Sequence, residues 1–278
     1  MTHVLLGPAG ICVTAKEKTT IGSLRRVAEL QLSAQEVEYV RGVNMSVAMA
    51  REVGKVAREL GIELSVHCPY YVNLCSVEKK KIEDSKKRIL DSAERANAMG
   101  AKIIVFHPGY YGKLLKNQAL DLVKNACLEI AERIERKGWD VSLGLETTGK
   151  ISAVGTVEEI VNLCEEIKNC TIVLDPAHIF ARNAGRIDYK EMFDKIKPLK
   201  LKHINMHFSG IKFSPVKATG YGNEISHLPI EVNAPPFEPL AKEILKRKID
   251  VTIISESPVL EKDSLVMKEI FEKLGYRF

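Results

Sequence analysis

The chain has 278 residues, of which 45% are hydrophobic and 28% are charged, and its formal net charge is +5. This composition excludes a disordered or fibrous chain, and so mild a charge does not demand a nucleic-acid partner. No apolar run approaches the length of about 20 residues that a membrane-spanning helix needs, and the N-terminal sequence MTHVLLGPAG lacks the basic start of a signal peptide. We therefore expect a cytoplasmic protein with no membrane partner.

Eight short apolar segments alternate with amphipathic segments along the whole chain. The apolar segments are predicted as strands over residues 4–7, 36–40, 62–67, 103–109 (with its exit turn), 141–146, 171–175, 199–208 and 251–256. The amphipathic segments are predicted as helices over about residues 21–32, 46–60, 77–99, 114–137, 156–167, a short one from 188, 238–248 and 265–274. The stretch from Ser209 to Pro236 contains three glycines and is predicted to be irregular.

Strands that alternate with helices predict parallel β–α–β units. Eight such units in 278 residues are the size of a (β/α)₈ TIM barrel, which we expect to form a single domain over residues 1–278. An open doubly wound sheet is the alternative. The sequence has no phosphate-binding loop of the G-x-x-x-x-G-K-S/T type, and no G-x-G-x-x-G follows the first strand.

The segment Ile172-Val173-Leu174-Asp175-Pro176-Ala177-His178 carries the first sign of chemistry. A buried strand that ends on Asp175, with His178 three residues later, would place two metal-ligand side chains at a strand end. Asp-Pro is also a common turn opener, so the same segment fits an ordinary capped helix start. The segment alone leaves both interpretations open.

The same kind of ending recurs along the chain. Six of the seven histidines lie at or just beyond predicted strand ends: His67, His107, His178, His203, His207 and His227. Three acids do so as well: Glu146, Asp175 and Glu256. In a barrel these endings converge on the C-terminal face, where the fold carries its active sites. Nitrogen and carboxylate ligands without thiolates suit Zn²⁺, Mn²⁺ or Fe²⁺, and so many ligands suit two or three ions of the kind that hydrolyse phosphate esters.

Five segments of the chain resemble the endonuclease IV family of apurinic/apyrimidinic endonucleases, within the wider xylose-isomerase-like barrels. They follow the family's order at similar spacing over nearly the whole chain. They are His67-x-x-Tyr70-x-x-Asn73-Leu74, Phe106-His107-Pro108-Gly109, Leu145-Glu146-Thr147, Leu174-Asp175-x-x-His178 and Glu256-Ser257-Pro258.

The resemblance implies a cluster of three Zn²⁺ ions; the ligand types alone leave two or three ions open, with Mn²⁺ or Fe²⁺ as alternatives. The implied ligands are His67, His107, Glu146, Asp175, His178, His207, His227 and Glu256. His67 and His107 would bind one ion, and His178 and His227 would help to hold the third. Glu146 would bridge two ions and is the expected catalytic residue.

The resemblance also implies an activity and a partner. The protein would be a monomeric metallohydrolase of DNA repair that cuts DNA on the 5′ side of abasic sites. Tyr70 would press into the minor groove, and Arg41 would contact backbone phosphates. A strand-exit tyrosine that packs on the next loop is the structural alternative for Tyr70.

The chain departs from the family pattern at two places. The seventh predicted strand offers both His203 and His207 where the family has one ligand; we favour His207 because it is nearer the strand exit, and expect His203 to form a hydrogen bond deeper in the barrel. The family's Asp-x-His is Ile225-Ser226-His227 here. Glu224 and water are the candidates to replace the missing aspartate.

Two other functions remain open from the sequence. A sugar or sugar-phosphate isomerase or epimerase on the same barrel would use one or two divalent ions on Glu146, Asp175, His207 and Glu256. A metal-stabilised protein that binds nucleic acid without turnover is the other, and it predicts affinity that falls with salt.

Overall fold

The computed structural model describes residues 2–217 and 219–278. Eight strands form one sheet: β1 (Val4–Pro8), β2 (Ala34–Glu38), β3 (Glu63–His67), β4 (Ile103–Phe106), β5 (Ser142–Glu146), β6 (Cys170–Leu174), β7 (His203–Phe208) and β8 (Asp250–Ser255). Their order in the sheet is β1–β8–β7–β6–β5–β4–β3–β2. Every ladder in this sheet is parallel, and each lies within a few residues of a predicted strand.

The sheet closes on itself where β1 meets β2. A bridge joins Ala9 to Glu36, and the amide of Gly10 donates to the carbonyl of Glu36 at 2.8 Å. The backbones approach so closely that a Cβ on Gly7 would lie 1.6 Å from the carbonyl oxygen of Ala34. Only glycine fits at such a contact. The predicted (β/α)₈ TIM barrel is confirmed.

Nine helices among the described residues follow the barrel strands. They are α1 (Thr20–Glu29), α2 (Val47–Leu60), α3 (Lys79–Met99), α4 (Lys116–Arg136), α5 (Val157–Glu166), α6 (Pro176–Arg182), α7 (Tyr189–Lys195), α8 (Phe237–Arg247) and α9 (Glu261–Lys273). The predicted stops are confirmed at Gly61 and Gly100, which end α2 and α3 with φ of 68° and 83°. None of these helices combines the length and the apolar character needed to cross a membrane.

The two faces of each barrel strand have different neighbours. One face packs beneath the helices in a large apolar core. The other encloses a small apolar group inside the barrel, Ile103, Val105 and Val173. Because strand side chains alternate, the next positions on this inner face are His107 and Asp175. On the inner face of the barrel, a layer of apolar side chains therefore lies directly below the polar residues at the strand ends.

The stretch between Ser209 and Pro236 is not irregular, so that prediction was wrong. It contains an antiparallel hairpin, Gly210–Val216 paired with Tyr221–Leu228, and a short 3₁₀ turn, Ile230–Val232. Further short elements are a two-stranded pair, Gly109–Tyr110 with Ala153–Val154, and a 3₁₀ turn at Lys197–Leu199.

The hairpin forms because its first strand has apolar residues that α6 can cover. Ile211 is buried in one cluster with Ala177 and Ala181 of α6. The ring of Phe213 packs edge-on against Phe180, with 5.6 Å between ring centroids. Two alternating apolar residues are too few to predict a strand from the sequence of this glycine-containing stretch. Their contacts with α6 nevertheless hold the hairpin at the open end of the barrel.

Candidate metal centre

A pocket of about 1020 Å³ opens at the carboxyl ends of the barrel strands. Its ionisable lining residues are Glu38, Tyr39, Arg41, His67, Tyr70, His107, Tyr110, Lys150, His178, Glu224, His227 and Glu256. Arg41 and Lys150 are the only lysine or arginine side chains among the described lining residues. The pocket thus occupies the face on which TIM barrels carry their chemistry.

Glu146 lies among the histidines of this face and is completely buried. One oxygen, Oε2, lies 3.2 Å from Nε2 of His67 and 3.0 Å from Nε2 of His107. The other, Oε1, lies 3.2 Å from Nδ1 of His178 and 3.2 Å from Nδ1 of His207. A carboxylate that faces different imidazoles with its two oxygens is suited to bridging two cations.

A second group of ligand atoms lies around Oε1 of Glu146. Glu146, Asp175, His178 and Glu256 each offer one atom, and these atoms all lie within 4.8 Å of one another. Nδ1 of His207 lies 3.3 Å from Oε1 of Glu256. Three carboxylates and two imidazoles therefore converge next to the site of His67 and His107.

Asp175 fits both interpretations that its sequence allows. Its Oδ1 accepts a hydrogen bond from the amide of His178 at 2.9 Å and caps α6. Its Oδ2 is buried, lacks a hydrogen-bond partner among the described residues and lies 3.2 Å from Nδ1 of His178. One oxygen can start the helix while the other remains free for a cation.

A third group involves the hairpin. Nε2 of His178 lies 3.1 Å from Oε2 of Glu224, and the rings of His178 and His227 are 5.3 Å apart between centroids. Nε2 of His227 lies 4.0 Å from Oε2 of Glu256. Glu224 therefore adds a carboxylate beside His178.

A β-bulge turns Glu224 towards this group. Glu224 and Ser226 pair with consecutive residues of the partner strand, Phe213 and Lys212, so Ile225 is the extra residue. In a regular strand Ile225 and Glu224 would point to opposite faces, with Ile225 inward. Here the side chain of Ile225 is 56% exposed, and that of Glu224 points into the pocket.

The loop after β5 makes room for the Glu224 carboxylate. A Cβ on Gly149 would lie 2.1 Å from Oε2 of Glu224, so a larger residue would displace the carboxylate. The amide of Glu224 donates to the carbonyl of Gly149 at 3.1 Å, and Nζ of Lys150 lies 3.6 Å from Oε1 of Glu224. A backbone hydrogen bond and a side-chain ion pair therefore both fix the position of Glu224.

Backbone carbonyls fix the orientation of two of the histidines. Nδ1 of His67 lies 2.7 Å from the carbonyl oxygen of Cys68, and Nδ1 of His178 lies 3.0 Å from that of Thr147. A carbonyl only accepts hydrogen bonds, so each Nδ1 carries a proton and Nε2 is the nitrogen that would bind a metal. Histidines that bind metals are typically oriented by such a bond from their second nitrogen.

The pKa values reflect how closely the acids and imidazoles approach one another. Burial would raise the pKa of Glu146, but the facing charges of His107 and His207 hold it well below its usual value. Burial would lower the pKa of His67, but Glu38 and Glu146 raise it to about 10. Burial raises the pKa of Glu38 to about 8. Charges packed this closely are expensive to bury without partners.

Several buried polar atoms of this cluster lack a hydrogen-bond partner among the described residues. They include Glu36 Oε1, Glu38 Oε1, Glu146 Oε1, Asp175 Oδ2, Glu224 Oε2 and both ring nitrogens of His207. Unpartnered buried donors and acceptors are rare in folded proteins. Their clustering, and their identity as nitrogen and carboxylate oxygen, fit bound divalent cations such as Zn²⁺, Mn²⁺ or Fe²⁺.

A family model described as a xylose isomerase-like TIM barrel matches residues 24–272. The chain belongs to this family. An uncharacterized protein of Methanocaldococcus jannaschii is 31% identical over 279 residues, which cover 98% of each chain. A probable endonuclease 4 of Mycoplasma mobile is 28% identical over 223 residues, which cover 76% of this chain and 74% of the relative. The resemblance to endonuclease IV is thereby confirmed.

Solved structures of other proteins share the barrel at lower sequence identity. A D-tagatose 3-epimerase-like protein superposes with a TM-score of 0.71 at 23% identity, covering 96% of both chains. Endonuclease IV from Thermus thermophilus superposes with a TM-score of 0.67 at 18% identity, covering 96% of this chain and 98% of that one. Identities this low establish a common fold and leave the reaction open.

The xylose isomerase-like barrel brings together all the side chains that the sequence singled out as ligands. They are His67, His107, Glu146, Asp175, His178, His207, His227 and Glu256. Tyr70 and Arg41 line the same pocket, and Tyr70 is 57% exposed rather than packed away. His203 lies outside the cluster and forms a 2.9 Å hydrogen bond to Oγ1 of Thr252, as predicted.

Two acids of the barrel's second strand were missed by sequence reasoning. Glu36 is 1% exposed with Oε1 only 2.9 Å from Nε2 of His207, and Glu38 lines the pocket. The available signal was their shared strand face together with the apolar residue between them, Val37. That pattern is equally typical of a half-exposed edge strand, which is why it did not stand out.

Proposed function

We propose that this protein is a metal-dependent phosphodiester hydrolase of the endonuclease IV type. It would cut DNA on the 5′ side of an abasic site and leave a 3′-hydroxyl. The observation that carries the proposal is the placement of Glu146, with His67 and His107 at one oxygen and His178 and His207 at the other. Clusters that hold two or more ions in this way suit hydrolysis of phosphate esters.

The residues would hold two or three Zn²⁺ ions, or Mn²⁺ or Fe²⁺ in their place. The first group comprises His67, His107 and Glu146. The second comprises Glu146, Asp175, His207 and Glu256. The third comprises His178, His227 and Glu256, with Glu224 beside His178 in the role of the family's aspartate.

When bound, divalent ions would supply Lewis acidity, which lowers the pKa of water and neutralises charge on a phosphate. Glu146 would set the separation of the first two groups through its two oxygens and orient the attacking water. His67 and His178 would act as neutral ligands, because backbone carbonyls hold their Nδ1 protons. Since Glu146 and His178 are almost fully buried, their charges and dipoles act in a site that largely excludes water.

The rim of the pocket would bind the DNA. Tyr70 is exposed beside His67, with 5.6 Å between ring centroids, and could stack on a base or fill the gap at an abasic site. Arg41 and Lys150 are the cations of the lining and would contact backbone phosphates. The proposed partner is therefore duplex DNA with an abasic site, bound by a monomeric, cytoplasmic, single-domain protein.

A sugar epimerase or isomerase is the second candidate, and a specific observation favours it. Glu38 and Glu256 line the pocket near Glu36. Among the described lining residues, only two lysine or arginine side chains balance this negative charge. Such a lining suits a neutral polyol better than an anionic backbone. Epimerases also occur among the structures that share the barrel.

One preparation can separate the two candidates. The undialysed protein would be analysed for metals and assayed on a duplex with one tetrahydrofuran abasic analogue, and in parallel on ketohexoses and their phosphates. Two or three ions per chain with chelator-sensitive incision support the nuclease, provided that Glu146→Gln from the same purification does not incise. Turnover of a ketose without incision would overturn the proposal in favour of the epimerase.

A further inference from the structure

Glu36 is a buried acid that the proposed reaction does not use. It lies on β2 and is 1% exposed. Its Oε2 accepts a hydrogen bond from Oγ of Ser65 at 2.7 Å, which fixes the carboxylate. Its Oε1 lies 2.9 Å from Nε2 of His207 on β7. A buried carboxylate is destabilising unless it is paired, and His207 is the nearest partner of Oε1.

The contact crosses the interior of the barrel. In the sheet, β1 and β8 separate β2 from β7, so Glu36 and His207 are brought together by their side chains and not by strand pairing. Both side chains are 1% exposed, and no solvent competes for them. The two atoms face each other without the alignment of a regular hydrogen bond, since neither has a hydrogen-bond partner among the described residues.

The other nitrogen of His207 faces the cluster. Nδ1 lies 3.2 Å from Oε1 of Glu146 and 3.3 Å from Oε1 of Glu256. A histidine that binds a cation through Nδ1 is a neutral ligand and must carry its proton on Nε2. The nearest carboxylate oxygen to that proton is Oε1 of Glu36.

We propose that Glu36 is a positioning residue that holds the proton on Nε2 of His207 and thereby directs Nδ1 to the metal cluster. Ser65 in turn holds Glu36, so the chain of contacts runs Ser65–Glu36–His207. The inference rests on the proposed function only in requiring that the cluster binds metal. Carboxylates that accept from the second nitrogen of a histidine ligand are known to set its tautomer and strengthen its binding.

Two substitutions separate the acceptor from the charge. Glu36→Leu removes the acceptor, whereas Glu36→Gln keeps the shape and one acceptor oxygen but removes the charge. Glu63→Gln is the control, because Glu63 is an exposed acid at the opposite end of the neighbouring strand β3. Zinc content per chain would be measured at free Zn²⁺ concentrations set by a chelator buffer.

We expect Glu36→Leu to bind one ion about 10- to 100-fold more weakly and the other ions as the wild type does. Glu36→Gln should show a smaller loss and Glu63→Gln none. NMR spectra of the metal-bound, ¹⁵N-labelled wild type should show His207 protonated on Nε2. The imidazole ¹⁵N chemical shifts of His207 should change in Glu36→Gln, whose side chain has nearly the same shape as that of Glu36. Unchanged zinc affinity in Glu36→Leu, or unchanged His207 shifts in a Glu36→Gln protein, would overturn the inference.

The outcome is separable from that of the proposed function. A wild-type protein that binds ions but does not incise abasic DNA would contradict the nuclease proposal, while the zinc affinities would still decide on Glu36. A wild type that binds no ion under any of these conditions would overturn both.

Discussion

Oε2 of Glu224 lies 3.1 Å from Nε2 of His178, on the inward side of a β-bulge centred on Ile225. The bulge moves the inward position of the strand by one residue, from 225 to 224. Glu224, which regular alternation from His227 would place on the outward face of the strand, can therefore reach His178. Ile225-Ser226-His227 lacks the expected aspartate, but Glu224 brings a carboxylate to His178.

We expect Glu224→Gln to lose the ion held with His178 and His227. An amide offers no anionic oxygen to a metal ion. Loss of a residue that only hydrogen-bonds to a metal ligand already weakens metal binding by about 10- to 100-fold. Metal analysis at controlled free Zn²⁺ should show one ion fewer per chain, with the ions at Glu146 retained. A variant with the wild-type metal content would exclude Glu224 as a ligand.

Ile225 provides the matched control for this substitution. Ile225→Asp restores Asp-x-His in the sequence, but its side chain is 56% exposed and points away from His178. Adding Ile225→Asp to Glu224→Gln should therefore not restore the lost ion. If the double variant recovers it, the bulge is not fixed and the strand can shift its register by one residue.

Glu146→Gln should reduce incision by about a thousandfold or more, because the bridging carboxylate then loses its charge at both oxygens. The fold should survive, since Gln has nearly the same shape and Glu146 terminates β5 rather than packing in its apolar core. Single-turnover incision of the abasic duplex measures the loss, and circular dichroism checks the fold. A folded variant with full activity would remove Glu146 from the mechanism.

The barrel was predictable from the sequence because its signals are local. Gly61 and Gly100 mark helix ends, and Thr156 caps α5 by accepting from the amide of Glu159. Each of these features depends on a few adjacent residues. The convergence of the candidate ligands was predictable for a related reason, since a parallel barrel brings strand ends such as His107 and Asp175 to one face.

The unpredicted features depend on contacts between distant segments. The bulge at Ile225 follows from the pairing register with Lys212 and from the space left by Gly149, neither of which the spacing of the segment reveals. The role of Glu36 depends on a contact across the barrel to His207. Sequence periods specify which face of a strand a residue occupies, but not which side chain meets it from the other wall.

His203 should contribute a pH-dependent part of the stability. Burial lowers its pKa, so the folded state binds fewer protons than the unfolded state. The stabilisation is complete above the ordinary histidine pKa and is lost as the pH falls from there towards the lowered pKa. Urea unfolding in the presence of chelator at pH 7.5 and pH 5.5 should show a smaller loss for His203→Gln than for the wild type. An equal loss in both proteins would mean that His203 titrates normally.

Tyr70 and Tyr71 form a pair of adjacent exposed tyrosines that differ in position. Tyr70 is 57% exposed and lines the pocket, whereas Tyr71 is 65% exposed and is absent from the described lining. Because base–aromatic stacking contributes about 1–3 kcal/mol, Tyr70→Ala should weaken binding of the abasic duplex by about 5- to 150-fold. Tyr71→Ala should leave the affinity for the abasic duplex unchanged.

Fluorescence anisotropy with catalytically inactive Glu146→Gln as the background measures binding without cleavage. Equal effects of the two substitutions would mean that DNA does not enter the pocket beside His67, and a loss confined to Tyr71→Ala would place the DNA on the other side of the loop.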